Sequence, residues 1–184
     1  MRRAFTFRYS GLVRVLKTPV GISLPATQEE AKAEQLKINE YVAIWDTGAT
    51  NSVITRQVVD DFGLKPINVA EVYHADGKSM ANVYLVNIAL PDHVVVTHVR
   101  VTEAKLINEN LKPDQRPQVL IGMDIIGMGD LAVTNLRGKT TLSYTIPSNR
   151  EIDFVPDAKE HNAMETGNRH ERRAFAAARR QGKI

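Results

Sequence analysis

The sequence predicts an all-β domain with one or two short helices, followed by a flexible C-terminal tail. Short apolar runs rich in Val, Ile, Leu and Tyr recur through residues 39–146, and runs of this kind are typical of strands. Gly, Pro, Asp and Asn separate these runs, as expected for turns. After Pro147 the pattern stops, so the domain is predicted to end there.

The composition suits one globular domain with extensions. The chain has 184 residues, of which 43% are hydrophobic, and it has no cysteine. A disulfide framework, a cysteine nucleophile and a thiolate metal site are therefore excluded. No apolar run approaches the ~20 residues of a membrane span, and Arg8 and Arg14 interrupt the segment where a signal peptide would need an apolar stretch. We expect a cytoplasmic protein without membrane association.

The positive charge is concentrated at the C-terminus. Residues 168–184 contain six Lys or Arg and one Glu, whereas the rest of the chain has eighteen basic and twenty acidic residues. We interpret residues 147–167 as a linker and residues 168–184 as a basic Ala/Arg-rich tail, solvated and partly helical. The alternative is a basic arm for nucleic acid or an acidic partner.

Residues 1–38 are predicted to form N-terminal strands and an extension. Phe5, Phe7 and Tyr9 alternate with polar residues, which is the period of a strand. Further apolar residues follow before Pro19 and Gly21 punctuate the chain.

The most informative stretch is residues 41–54. An apolar strand from Tyr41 to Trp45 ends at one carboxylate, Asp46, and a polar turn follows before the chain returns at Val53. Gly48 stands two residues after the carboxylate, where the backbone must approach another group closely or adopt an unusual conformation. This pattern is expected to hold an acid rigidly at the end of a strand.

A helix and a long hairpin are predicted after this turn. Thr55 is placed to cap a helix over residues 56–62, and Gly63 is placed to end it. Residues 69–90 read as a hairpin whose turn, residues 75–78, contains the hairpin-forming pair Asp-Gly. A third strand, residues 94–101, follows.

The C-terminal part of the domain is predicted to contain a short buried strand and a last hairpin. Val119, Leu120 and Ile121 form the strand, and Gly122 ends it. Asp124 is expected to cap the helical turn that follows, in a structural role and not a catalytic one. The last hairpin covers residues 130–146.

Asp46-Thr47-Gly48-Ala49, preceded by an apolar strand and followed downstream by Val119-Leu120-Ile121-Gly122, resembles the active-site loop of aspartic proteases. The Ala49 form is most similar to the single-lobe, retroviral branch, the retropepsins. The resemblance covers residues 39–146. It implies a closed β-barrel of the acid-protease type and hydrolysis of peptide bonds, and it says nothing about the tail.

The resemblance implies a catalytic dyad of two aspartates, of which this chain supplies one. Aspartic proteolysis uses two carboxylates that share one proton around one water molecule. The second Asp46 would come from a second copy, so a homodimer acting on a peptide or protein is expected. In this family Thr47 braces the opposing loop, Gly48 lets substrate backbone approach, and Ala49 replaces a hydroxyl found in many two-lobed relatives. The N-terminal strand and the strand ending at Ile146 are candidates for the dimer seam.

The hairpin after the active-site loop is the flap in retropepsins, which closes over bound peptide. The resemblance places the flap tip and its substrate contacts at Ala75, Asp76, Gly77 and Lys78. A plain surface hairpin has the same sequence pattern, and only the spacing from Asp46 favours a flap.

Other functions have less support in the sequence. The histidines lack metal-binding spacing, so neither a metal nor a cofactor is expected, and Ser52 lacks the context of a catalytic serine. A catalytically inactive binding or dimerisation module with the same fold remains the main alternative. A nucleic-acid-binding adaptor rests on residues 168–184 alone.

Overall fold

The structure is a computed structural model that describes residues 2–25, 29, 37–74, 77–106, 112, 116–165, 173 and 177. The chain divides into two compact units, residues 1–149 and 150–184. The strands of the first unit are β1 (Arg3–Arg8), β2 (Lys17–Ser23), β3 (Asn39–Trp45), β4 (Val53–Ile54), β5 (Asn68–His74), β6 (Gly77–Leu90), β7 (Val94–Glu103), β8 (Val119–Ile121), β9 (Asp130–Thr134) and β10 (Thr141–Ile146). Helical elements that the structure describes in this unit include α1 (Arg56–Phe62), α2 (Met123–Ile126) and a 3₁₀ turn at Leu136–Gly138.

Seven strands form one curved sheet that holds most of the core. Their order is β2-β3-β8-β4-β7-β6-β5, and β2 also pairs with β6, so the sheet closes on itself. Alternate residues of these strands point inward, and Ile22, Ala43, Val86 and Ile121 are fully buried. The mostly β fold with short helices predicted from the sequence is therefore confirmed.

A smaller sheet in the order β1-β10-β9 packs beside the strand that leads to Asp46. Phe5 lies opposite Tyr144 in this sheet. Both rings contact Trp45, with centroid separations of 5.8 Å for Phe5 and 5.4 Å for Tyr144. Residues of the predicted N-terminal extension thus contribute to the same core as β3.

The strand ending at Ile146 has no free edge. β10 is the central strand of the small sheet, paired with β1 on one side and β9 on the other. The dimer seam at the N-terminal strand and at the strand ending at Ile146 stays a prediction, and within the chain the hydrogen-bonding groups of β10 are already used by β1 and β9. The sequence could not show this, since it does not reveal which strands pair.

Helix α1 begins and ends where the sequence predicts, but its start is held differently. Gly63 adopts a left-handed conformation with φ of 60°, which ends the helix. Thr55 lies at the N-cap position without making a side-chain cap bond. Its hydroxyl instead donates to the Gln118 amide oxygen, so Thr55 ties the helix start to the segment before β8.

In the part of the second unit that the structure describes, helix α3 (Val155–Glu165) lies within the segment predicted as a linker. The Asp153 carboxylate accepts a hydrogen bond from the Val155 N–H at 2.9 Å, which satisfies one free donor of the first turn. Apart from Arg173 and Ala177, the tail 168–184 lies outside the described residues. Among the helices that the structure describes, none is long and apolar enough to cross a membrane.

Candidate functional site

The Asp46 carboxylate lies at the end of β3 and is fixed by the backbone of its own turn. The Asp46 N–H donates to the Ile121 carbonyl at 3.0 Å, and the Gly48 N–H donates to Asp46 Oδ1 at 2.8 Å. A Cβ added at Gly48 would lie 3.2 Å from the same oxygen, a tight contact. Gly48 therefore combines a donor for the carboxylate with the small size that this approach favours.

The residue before Asp46 anchors the strand in the core. Trp45 is 7% exposed, and its indole N–H donates to Thr18 Oγ1 at 2.9 Å. Because successive strand residues point to opposite faces, the inward direction of Trp45 fixes the outward direction of Asp46. Phe5 and Tyr144 support the Trp45 ring from the small sheet.

The two apolar segments that the sequence singles out lie side by side. β3 and β8 pair in parallel, with Trp45 opposite Ile121. After β8, the Met123 N–H donates to the Ala49 carbonyl at 2.8 Å, and the Asp124 N–H donates to the Thr50 carbonyl at 3.1 Å. Two backbone hydrogen bonds therefore join the start of α2 to the Asp46 turn.

Gly122 makes this close contact possible. A Cβ at Gly122 would lie 2.6 Å from the Asn51 carbonyl carbon and oxygen and 3.0 Å from the Ala49 oxygen. Real side chains do not fit at such distances against backbone atoms, so glycine is required here. This close packing explains why glycine follows the two apolar residues in the downstream segment.

Ser52 and Asp124 connect the two halves through a buried network that the sequence analysis missed. Ser52 is 0% exposed, and its hydroxyl donates to Asp124 Oδ1 at 2.8 Å while its N–H donates to Asp124 Oδ2 at 3.0 Å. The Gly122 N–H donates to Ser52 Oγ at 3.1 Å. Asp124 is not the N-cap residue, because Gly122 occupies that position and Asp124 lies in the first turn. Its Oδ1 nevertheless accepts a hydrogen bond from the Ile125 N–H of that turn at 3.0 Å.

The remaining loop residues face outward. Thr47 and Gly48 are exposed, whereas Asp46 and Ala49 are half-buried. The Asp124 carboxylate is engaged by the Ser52 hydroxyl and N–H. Within the described part of one chain, the turn therefore presents a single carboxylate at the protein surface.

The predicted flap hairpin is a two-stranded ribbon formed by β5 and β6. The tip residues Ala75 and Asp76 lie outside the described residues, while Gly77 and Lys78 begin β6 and are exposed. Lys78 pairs with Glu71 at 3.1 Å and lies over the Tyr73 ring at 4.7 Å from its centroid. These contacts join the two arms close to the tip, and they do not locate the tip relative to Asp46.

A polar cluster lies where the ribbon meets the barrel. The Tyr84 hydroxyl donates to Glu103 Oε2 at 2.9 Å, and Arg56 of α1 approaches the same oxygen at 3.5 Å. Burial and the bond to Glu103 raise the pKa of Tyr84. This cluster links the root of the ribbon to α1, so the exposed part of the ribbon projects from a fixed base.

Two other tyrosines support elements near the site. The Tyr144 hydroxyl donates to the Ile125 carbonyl of α2 at 2.6 Å, and burial, with a smaller effect of Asp130, raises the pKa of Tyr144 to about 12. The Tyr41 hydroxyl donates to Asp61 Oδ2 at 2.7 Å, and burial raises the pKa of Tyr41 to about 12. Both phenols remain neutral hydrogen-bond donors at ordinary pH.

Within the ranges that the structure describes, no group of three His, Asp or Glu side chains is arranged to hold a metal ion. The chemistry available at the surface turn is that of a carboxylate, which acts as a base when ionised and as a hydrogen-bond donor when protonated.

Comparison with protein-family profiles identifies one family. The sequence profile of the aspartyl protease family matches residues 31–125, and no curated protein sequence matches the chain. Among solved structures, a retropepsin-like aspartic protease from Rickettsia conorii is similar, with 9% identity and a TM-score of 0.46 over 79% of this chain and 95% of that one. The EIAV protease, solved with the inhibitor HBY-793, has 17% identity and a TM-score of 0.41 over 65% of this chain and 90% of that one. The protease of Simian Foamy Virus (mac) has 15% identity and a TM-score of 0.35 over 60% of this chain and 92% of that one.

Proposed function

Because the chain belongs to the aspartyl protease family, we propose that it is an aspartic endopeptidase whose active site combines Asp46 from two chains. The observation that carries this proposal is the geometry of the turn. One carboxylate stands at a strand end, receives a hydrogen bond from the Gly48 N–H at 2.8 Å, and is supported by α2 through the Ala49 carbonyl. Such a turn holds an acid in one orientation, as general acid–base catalysis requires.

The proposed reaction uses the two carboxylates in opposite protonation states. The ionised Asp46 takes a proton from the attacking water, and the protonated Asp46 donates a hydrogen bond to the scissile carbonyl oxygen. Water oxygen bonds to the carbonyl carbon to give a tetrahedral intermediate. Its collapse breaks the C–N bond as a proton passes to the leaving amine. The pair shares one proton, so neither role belongs permanently to one chain.

The loop residues have separate proposed roles. Thr47 is exposed beside the carboxylate, where its hydroxyl can brace the opposing turn across the twofold axis. Gly48 offers a surface without a side chain, so an extended peptide backbone can approach the carboxylate. Ala49 directs its carbonyl to the Met123 N–H and so keeps the turn attached to α2.

The ribbon is proposed to act as the flap, with Ala75, Asp76, Gly77 and Lys78 at the tip that contacts substrate. The support is its construction: residues 77–80 are all exposed, while Tyr84 further along β6 is 1% exposed. A strand that is fixed at one end and exposed at the other can close over a bound peptide and exclude water.

The experiment that tests this function replaces Asp46 with Asn. Asn has nearly the same shape but cannot accept a proton from water, so Asp46→Asn is expected to abolish cleavage of a mixed peptide pool followed by mass spectrometry. Asp60→Asn is the matched control, because the Asp60 side chain is 63% exposed on α1 and belongs to no part of the proposed site. An inactive binding module would show no cleavage with either protein, and cleavage by Asp46→Asn at the wild-type rate would remove the proposal.

A further inference from the structure

A cleft lies at the start of β3, at the other end of this strand from Asp46. Its volume is about 490 Å³, which is within the usual range of ligand sites. It is lined by the consecutive residues 38–42, by Gln57 and Asp61 of α1, and by Arg116 and Gln118, which precede β8. We call it the α1–β3 cleft.

The edge of β3, and not one of its faces, borders this cleft. Neighbouring side chains of a strand point to opposite faces, yet residues 38–42 all line the cleft. On the β8 side of β3, the Val42 carbonyl accepts a hydrogen bond from the Gln118 N–H at 2.9 Å. Because backbone groups alternate in direction along a strand, the N–H and carbonyl of Glu40 point to this same side. β8 pairs with residues 43–45 of β3, so within the described residues it does not cover the backbone of Glu40.

The Asp61 carboxylate is held in one orientation at this cleft. Its Oδ2 accepts a hydrogen bond from the Tyr41 hydroxyl at 2.7 Å, and Tyr41 is 8% exposed. The Tyr41 oxygen in turn accepts a hydrogen bond from Asn39 Nδ2 at 3.3 Å. Since the bond to Tyr41 engages Oδ2, the second oxygen, Oδ1, is the one that can accept from a ligand.

Gln118 is oriented by a comparable contact. The Thr55 hydroxyl donates a hydrogen bond to Gln118 Oε1. With its oxygen engaged, the side-chain NH₂ group of Gln118 is the part that can donate to a ligand. The cleft therefore combines an oriented carboxylate, an oriented amide donor and an open strand edge.

These groups match an extended peptide segment that carries a basic residue. A strand edge binds peptide backbone as an added strand, and a side-chain amide can donate to a peptide carbonyl. The charged residues that line the cleft are Glu40, Asp61 and Arg116. Two carboxylates and one guanidinium give these side chains a net charge of −1, which favours Lys or Arg in the bound segment over Asp or Glu.

We propose that the α1–β3 cleft is a secondary binding site for the substrate polypeptide, in which Asp61 binds a Lys or Arg side chain away from the cleaved bond. This inference rests on the proposed function, because the segment belongs to the peptide held at Asp46. Tyr41 and Asp46 are five positions apart in the chain, which is roughly 17 Å along a strand. An extended peptide needs about five residues to span this distance, so the basic residue lies at least that far from the cleaved bond.

The first test reads this preference from a pool of long peptides of random sequence. Mass spectrometry locates each cleaved bond, and the frequency of Lys and Arg is counted at each position from it. The wild type is expected to favour a basic residue about threefold to fivefold at a position about five or more residues away. Asp61→Asn is expected to lose this preference, because Asn can still accept from the Tyr41 hydroxyl but carries no charge.

Asp60→Asn is the matched control for this change. It removes the same charge one position earlier on α1, but Asp60 is not among the residues that line the cleft, and its carboxylate pairs with Arg56 at 3.1 Å. The preference for a distant basic residue is expected to persist in Asp60→Asn. A general effect of negative charge on the protein surface would instead lower the preference equally in both variants and would overturn the role of Asp61.

The second test depends neither on cleavage nor on a charged variant. The chain has no cysteine, so Gln57→Cys in the Asp46→Asn protein carries one thiol, which lies in the cleft. Peptides of the same pool that this protein retains are expected to be enriched in Lys and Arg. Coupling the thiol to a bulky maleimide fills the cleft and is expected to abolish the enrichment, with the uncoupled protein as the control.

The outcomes separate this inference from the proposed function. A wild-type profile without a distant basic preference, or one that both Asp61→Asn and the coupled maleimide leave unchanged, would overturn the secondary site and leave the effect of Asp46→Asn intact. A wild type that cleaves no peptide would overturn the proposed function. In that case, enrichment that the maleimide abolishes would still support the cleft as a peptide site, and its absence would overturn it.

Discussion

Replacing Asp124 tests how the two halves of the site are held together. Its carboxylate accepts hydrogen bonds from the Ser52 hydroxyl at 2.8 Å, the Ser52 N–H at 3.0 Å and the Ile125 N–H at 3.0 Å. Ser52 is fully buried, so water does not replace these bonds readily. We expect Asp124→Ala to destabilise the protein and to reduce peptide cleavage, although Asp124 does not contact the proposed substrate.

The magnitude follows from the donors that lose their acceptor. A buried donor left unsatisfied costs about 1–3 kcal/mol. Asp124→Ala leaves the Ser52 N–H without its acceptor. The Ser52 hydroxyl can rotate, and its oxygen still accepts a hydrogen bond from the Gly122 N–H. The free energy of unfolding should therefore fall by about 1–3 kcal/mol. Asp124→Asn keeps one acceptor oxygen and should cost roughly half as much.

The assay is urea unfolding at a fixed protein concentration, followed by circular dichroism, with peptide cleavage measured on the same samples. Asp60→Asn serves as the control, because the exposed Asp60–Arg56 pair is expected to contribute no measurable stability. Ser52→Ala combined with Asp124→Ala should cost less than the sum of the single changes, since both remove the same bonds. An Asp124→Ala protein as stable and active as the wild type would refute the proposed role of this network.

Three further predictions concern the whole chain. Specific activity should fall on dilution, and a rate per chain that is independent of concentration would contradict this. Excess Asp46→Asn chains should suppress wild-type activity beyond simple dilution, because mixed dimers contain a broken dyad. A chain ending at Asn149 should cleave a short peptide as fast as the full chain, because residues 1–149 form one compact unit. This chain keeps the Ser148 hydroxyl and the Asn149 N–H that donate to the Asp130 carboxylate. Loss of folding in the shortened chain would contradict this prediction. The free energy of unfolding should decline as the pH rises from 10 to about 12. Burial raises the folded-state pKa of Tyr41 and Tyr144 to about 12, so the unfolded chain loses these protons first. In unfolding measurements, Tyr41→Phe should make the decline less steep.

Local features of the fold could be predicted from the sequence. The strand before Asp46, the helix ended by Gly63 and the hairpin arms of β5 and β6 depend on periodicity and turn residues within a few positions of each other. The same holds for the short strand ended by Gly122. The structure agrees with all four, because in each case the local preference and the tertiary contacts favour the same conformation.

Features that depend on distant pairs could not be predicted. Ser52 and Asp124 are 72 positions apart, and nothing near Asp124 indicates that its carboxylate binds Ser52 as well as the Ile125 N–H of α2. The pairing of β1 with β10, with Phe5 opposite Tyr144, is equally non-local. Helix α3 was missed for a different reason, since its polar sequence lacks the apolar stripe by which helices are recognised.

On the proposed function, the direction of β3 accounts for the need for a second copy. Trp45 points into the core, where Thr18 and two aromatic rings hold it. The next residue, Asp46, must then point outward and end half-buried at a surface turn. A carboxylate that is rigid but open on one side can exclude water from the reacting bond only when something covers it. On the proposed function, the partner chain supplies both that cover and the second acid.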